Sequence, residues 1–144
     1  ELVTIASILE AEARPDDYAL VAGIINNRLR PDNRETNGLL QIDATVIYGL
    51  GVRNLQFTSE DRQDSSNEYN TYVHPGLPPG PIGAPSISAI DAAAEPEDSS
   101  YYYWITTNIE TGETKFSETL AEHQRYQNEF RQYCADNPEY CESN

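Results

Sequence analysis

The stretch LVTIASILEAEA, residues 2–13, places Leu2, Ile5, Ala6, Leu9 and Ala13 at the spacing of one helical face. A helix is predicted here, laying that stripe against a core. Arg14-Pro15-Asp16-Asp17 interrupts the pattern and supplies capping chemistry for a second helix, whose Tyr18, Val21, Ala22, Ile25 and Leu29 again form one stripe. Pro31 stops it, and residues 31–38 read as an exposed polar loop. Leu39 to Tyr48 mixes apolar and β-branched residues in a way that periodicity alone does not assign.

Farther along, Val52 to Asn70 is polar, and Pro75 to Pro85 carries prolines and glycines that exclude regular structure. Long loops of this kind in a compact domain usually carry function. Ser86 is predicted to cap a short helix, Ser88 to Ala94, ending before Pro96. Tyr101 to Thr107 has strand composition, and its aromatic start, Tyr101 to Trp104, reads as core strand rather than as a ligand platform. Glu110-Thr111-Gly112-Glu113 is the turn of a hairpin returning through Lys115 and Phe116. An amphipathic helix from Ser117 to Cys134, with Ser117 as cap, closes the chain. The expected fold is a single α+β domain over residues 1–144, mainly helical, with one antiparallel hairpin and long central loops walling a cleft. No internal repeat or linker divides it.

At 144 residues the chain is long enough to bury roughly two-thirds of its unfolded surface without a metal or other staple. Nine Lys and Arg against 24 Asp and Glu give a formal charge of −15, a field that repels phosphate backbones and anionic headgroups. Nucleic acid and membrane surfaces are thus poor partners. No apolar run approaches the roughly 18 to 20 residues that span a bilayer. Since the sequence opens inside a helical pattern, it is expected to be a piece of a longer protein whose upstream part supplies any signal or anchor. Cys134 and Cys141 lack the further Cys or His of a zinc site, so a local disulfide and an exported, oxidising setting are expected; two free thiols are the alternative. His74 and His123 are each solitary in sequence; no metal or cofactor is expected, and His123 reads as a packing or hydrogen-bonding residue.

Glu10 and Glu12 stand two positions apart on the first helix, so at about 100° per residue they point to opposite borders of the apolar stripe. They do not serve one site as a pair. Between Leu9 and Ala11, a carboxyl at Glu10 is expected to be partly desolvated, which raises its pKa and suits it to donating a proton near neutrality. By itself this pattern is more often an ordinary surface glutamate. Gln41, Asp43, Tyr48, Tyr69, Asn70 and Tyr72 supply the amide, carboxyl and aromatic groups that hydrogen-bond and stack on sugar rings, although each alone is more often a packing or capping residue. Arg28 either braces a carboxylate of the site or pairs on the surface. The segment Gly76 to Ile82, including Pro79 and Gly80, is stiff yet allows close approach, as a cleft wall or a rigid connector would.

Ser7-Ile8-Leu9-Glu10-Ala11-Glu12, then Asn27-Arg28-Leu29, then Leu40 through Gly49 resemble, in order, the motif series of the YceG-like (MltG-type) endolytic murein transglycosylases. Tyr69-Asn70-Thr71-Tyr72, Gly76 through Ile82, and Phe116 through Thr119 and Leu120 to His123 continue it over nearly the whole chain. Departures fall at Ala44, where the family often has proline, and at Asn67-Glu68, where serine-proline is common; both bear on loop shape.

The resemblance implies an enzyme of the cell envelope, outside the cytoplasmic membrane, held there by an upstream transmembrane helix. Its substrate would be the glycan strands of peptidoglycan. Any contact with wall-synthesis proteins is expected through the full-length chain, and this domain is expected to be monomeric. Such an enzyme needs no activated water, because the 6-hydroxyl of N-acetylmuramic acid attacks its own anomeric carbon. One residue then acts first as acid and afterwards as base. The resemblance places that role on Glu10; Glu12, Arg28, Gln41, Asp43, Tyr48, Tyr69, Asn70, Tyr72, Pro79 and Gly80 are the expected substrate contacts. Two rivals stand beside it: a muramidase-like hydrolase using Glu10 with Asp43, and a glycan-binding module without catalysis.

Overall fold

The computed structural model describes residues 1–52 and 57–141, so residues 53–56 of the expected Val52–Asn70 loop lie outside the described residues. Helix α1 spans Leu2–Glu12, α2 Tyr18–Leu29, α3 Asp43–Leu50 and α4 Ile87–Ala94; strands β1, Tyr103–Asn108, and β2, Glu113–Ser117, precede α5, Leu120–Asp136, and the short α6, Pro138–Cys141. The α+β composition is as expected. Two compact units share these elements, Glu1–Ser99 and Ser100–Asn144. No Gly- or Pro-rich linker marks the division, because the hairpin and α5 pack against each other and form a unit without any change in composition. Among the described residues no helix is long and apolar enough to cross a membrane.

In the first unit α1 is the central rod. Six consecutive residues, Thr4 to Leu9, are buried, so the helix is enclosed on several sides rather than along the single stripe expected of it. Leu2, assigned to that stripe, is 41% exposed. Around α1 pack α2, α4 and α3, with Ile8, Leu9, Val21, Ile24, Ile25, Leu40 and Val46 fully buried between them. Burying such side chains stabilises by roughly 1.5 to 3 kcal/mol each. Gly23 lets α2 approach the backbone at Glu97 so closely that a Cβ there would sit 1.9 Å from the Glu97 carbonyl oxygen. The Glu97 N–H completes that contact by donating to Ala19 O at 2.9 Å.

Leu39 to Tyr48 resolves into an approach segment and α3. Gln41 takes a left-handed backbone, φ 54°, and its N–H donates to Thr71 O at 3.0 Å. Thr71 Oγ1 accepts from Ile42 N–H at 3.0 Å and lies 2.8 Å from Thr45 Oγ1, so a buried threonine pair fixes where α3 starts. The segment 76–85 runs alongside α1, held where Ile82 N–H donates to the buried Ser7 Oγ at 3.0 Å. Ser86 then caps α4 as expected, its Oγ accepting from Ala89 N–H.

In the second unit β1 and β2 pair antiparallel in the register Tyr103↔Ser117 to Thr106↔Thr114. The expected cap on the closing helix is corrected: Ser117 is the buried last residue of β2, and Thr119 Oγ1 accepts from Glu122 N–H instead. One residue cannot both end a ladder and cap a helix a turn away. His123 stacks on Tyr103 with ring centroids 4.9 Å apart, the packing role expected of it. Cys134 and Cys141 are disulfide-bonded, as expected.

Candidate active site

Because α1 is a regular helix, Glu10 and Glu12 leave it in different directions, and their surroundings differ more than sequence suggests. Glu10 is exposed. Its Oε2 accepts from Ser86 N–H at 3.2 Å, Ser86 Oγ–H at 2.7 Å and Tyr18 O–H at 3.1 Å. The Ser86 bonds hold this carboxyl below its ordinary range. The expectation of a desolvated Glu10 with a raised pKa is thereby corrected: its Ile8 and Leu9 neighbours are buried in the core, while its own side chain turns to the capping serine of α4.

Glu12 carries the environment that was expected two residues earlier. It is half-buried at the end of α1, facing the start of α3. Loss of water around it, followed by the nearby charge of Asp43, pushes its carboxyl up to about 7, opposed in part by the Ala44 backbone N–H that bonds to it. A glutamic acid so tuned holds its proton near neutrality and can both give and take it.

Asp43 itself is held from two further sides. Arg62 Nε donates to one oxygen at 2.9 Å and a terminal nitrogen of Arg62 to the other at 2.8 Å; Tyr72 O–H donates to the first at 2.7 Å. The guanidinium also lies over the Phe57 and Tyr72 rings, 4.9 and 5.5 Å from their centroids. Burial, then the hydrogen bond to Asp43, raises the Tyr72 phenol, so it stays a donor at any ordinary pH. Carboxylate, guanidinium and phenol thus form one fixed cluster beside Glu12.

An open depression of about 550 Å³ is lined in part by Ala11, Ala44, Tyr48 and Ile82. Ala11 precedes Glu12 and the Ala44 N–H bonds to it, so two immediate neighbours of the tuned carboxyl line the depression, although Glu12 itself does not. Tyr48, 48% exposed, meets Tyr69 with centroids 4.9 Å apart and planes tilted by 56°. A Cβ on Gly80 would lie 3.4 Å from the Tyr69 hydroxyl, so the tyrosine reaches the proline-glycine segment. Gln41 is exposed and takes a backbone region that non-glycine residues seldom occupy. Pro79 is exposed on the segment wall.

Two expected contacts lie elsewhere. Asn70 is fully buried: its Nδ2 donates to the carbonyls of Asp61 and Asp64 at 3.2 and 2.9 Å, and its Oδ1 accepts from Tyr72 N–H at 3.0 Å. With its amide engaged on the backbone, it shapes the loop that carries Arg62 and Tyr72 rather than meeting a sugar. Arg28, 5% exposed, donates to the Leu40 carbonyl and ties α2 to the approach to α3. Nothing in the sequence singles out Arg62, which is one of two arginines, with Arg53, in a polar, acidic loop. Among the described residues no cluster of His, Cys, Asp and Glu could hold a metal ion.

Residues 1–129 match the model of the YceG-like family. An endolytic murein transglycosylase of Bacillus subtilis is 35% identical over 126 residues, 87% of this chain and 33% of that protein. One of Streptococcus pneumoniae is 31% identical over 130 residues, again 87% of this chain but 22% of that protein. A YceG-like protein of Listeria monocytogenes, solved by crystallography, superposes with a TM-score of 0.74 at 41% identity, covering 86% of this chain and 38% of that one. The chain therefore spans about a third or less of the curated relatives it matches.

Proposed function

The chain belongs to the YceG-like family, and on that premise we propose that it is the catalytic part of a cell-envelope lytic transglycosylase acting on peptidoglycan. It cleaves the β-1,4 bond between N-acetylmuramic acid and N-acetylglucosamine without water and leaves a 1,6-anhydro end. The observation that carries this reading is the carboxyl of Glu12, pushed to about 7 between Ala11 and Ala44, two residues that line an open depression. Glu12, rather than Glu10, protonates the leaving glycosidic oxygen. The resulting carboxylate then accepts the proton of the 6-hydroxyl as that oxygen bonds to the anomeric carbon. One proton is given and one returned, so a single residue suffices. Tyr48, Tyr69 and Gln41 offer rings and an amide to the sugars.

A two-carboxylate hydrolase is the weaker reading, because the second carboxyl, Asp43, already has both oxygens occupied by Arg62 and one also by Tyr72. A passive binding module has no use for a carboxyl tuned to hold its proton near neutrality. The test is the product from glycan strands given wild-type, Glu12→Gln and Glu10→Gln protein, read by mass spectrometry. Wild type and Glu10→Gln should release anhydro fragments, lighter by one water than hydrolysis products. Glu12→Gln should lose about a hundred- to ten-thousand-fold in rate. Hydrated ends would restore the hydrolase; an active Glu12→Gln with an inactive Glu10→Gln would return the acid to Glu10.

A further inference from the structure

The first unit carries a second depression with a charge opposite to that of the molecule. In a chain of net charge −15, Arg28, Arg30 and Arg34 fall within seven residues and supply three of its nine Lys and Arg. Arg28 is buried and used internally, whereas Arg30 and Arg34 line an open depression of about 390 Å³ with Asn37, Gly38, Pro75 and Gly76. Among the described residues Arg34 makes no ion pair. Arg30 meets only Asp32, at 3.6 Å with both side chains mostly in water, an arrangement worth little.

The loop that presents Arg34 is firmly built. Asn33, 4% exposed, donates to Arg28 O at 2.8 Å and Thr36 Oγ1 at 2.7 Å. Its Oδ1 accepts from the N–H groups of Glu35 and Thr36 at 2.9 and 3.2 Å. Gly76 N–H donates to Gly38 O at 2.8 Å, locking this loop to the start of the proline-glycine segment. An unpaired guanidinium on a pre-ordered loop loses little entropy on binding an anion, and its planar fork matches a carboxylate.

Placement connects the two depressions. A neighbouring hollow of about 530 Å³, lined by Thr4, Leu29, Gly76 and Pro79 among others, shares Leu29 and Gly76 with the arginine-lined one. The segment from Gly76 to Ile82 therefore walls both ends, with Ile82 at the depression beside Glu12. From Thr4, at the intermediate hollow, to Glu12 is eight residues of helix, about 12 Å; the arginine-lined depression lies beyond that hollow, past Leu29 and Gly76, so a peptide running from one to the other must be longer than the roughly four extended residues that cover the helix span.

We propose that the Arg30–Arg34 depression is a binding site for a carboxylate of the peptide stem borne by the glycan, engaged while the sugar bond lies at Glu12. The identity of the ligand rests on the glycan-cleaving reading; the carboxylate chemistry rests on the arginines alone. Two measurements separate them. A soluble stem tetrapeptide with a free C-terminus, titrated into this chain and followed by amide shifts in NMR, should bind at residues 30–38. Arg34→Gln should weaken it about tenfold, as should amidation of the peptide carboxylates, and Glu12→Gln should leave it unchanged. Turnover of peptide-bearing glycan by Arg34→Gln should then show a raised KM with kcat held, while peptide-free glycan is cleaved as by wild type. Equal binding of acid and amide, or of wild type and an Arg30→Gln/Arg34→Gln double variant, would overturn the proposal. So would inorganic phosphate binding there more tightly than the peptide, which would assign the site to phosphate polymers. Failure of wild type to cleave either glycan would count against the proposed function, while the titration still decides the carboxylate site.

Discussion

Arg62 grips both oxygens of Asp43, at 2.9 and 2.8 Å, across 19 residues of chain. That grip makes Asp43 a fixed negative charge facing Glu12, and the charge is one of the two causes that raise the Glu12 carboxyl. Asp43→Asn is therefore expected to lower the Glu12 pKa and to move the alkaline fall of kcat/KM to lower pH. Since the proposed acid, Glu12, must be protonated to act, loss of activity above about pH 7 is expected in wild type. A pH profile of glycan cleavage checks both; an unmoved limb in Asp43→Asn would mean that Glu12 is not the group being titrated.

Glu12 also makes stability depend on pH. Its folded pKa lies above the ordinary value of 4.5, at about 7, so between those values the folded state holds more protons than the unfolded one. Its contribution is fully present below about pH 4.5 and is lost as pH rises through about 7. Urea melts from pH 5 to 8 should show wild type losing about 1 to 3 kcal/mol relative to Glu12→Gln. A difference that does not change with pH would refute the burial argument.

Asn70→Ala is expected to act on the fold. It removes the bonds to the carbonyls of Asp61 and Asp64 and leaves the N–H of Tyr72 without its Oδ1 acceptor, at a cost of about 2 to 3 kcal/mol. Because that loop carries Arg62 and Tyr72, activity should fall with it. A melting temperature equal to wild type with lost turnover would make Asn70 a substrate contact after all.

Gly23→Ala tests the close packing of α2. The new Cβ would meet the Glu97 carbonyl oxygen at 1.9 Å, and since that atom is backbone, the helix or the 97 segment has to move. A loss of about 1 to 3 kcal/mol is expected, measurable by denaturant melts, with the α5 unit's disulfide untouched. Thiol titration of the unfolded, unreduced chain should find no free thiol, given the Cys134–Cys141 bond.

Much of this was legible in the residues themselves. Apolar spacing over 2–13 and 18–29 set α1 and α2, Ser86 announced the cap of α4, and Tyr101 to Phe116 announced the hairpin, because each signal is local and repeats with the period of its own element. Two isolated cysteines close in sequence were enough to expect their bond. The site followed other rules. Glu10 and Glu12 are the same residue type on one helix, and only what packs against α1 separates them: Ser86 of α4 hydrogen-bonds the first, while α3 removes water from the second and sets Asp43 beside it. Arg62 comes to Asp43 through a loop whose course depends on the buried Asn70, and no periodicity records such a path. Chain composition fixed the net charge of −15, but the gathering of Arg30 and Arg34 beside Gly76 arises from two loops meeting. Helix and strand follow from neighbours along the chain; a pKa or a charged hollow follows from neighbours in space, which the fold alone brings together.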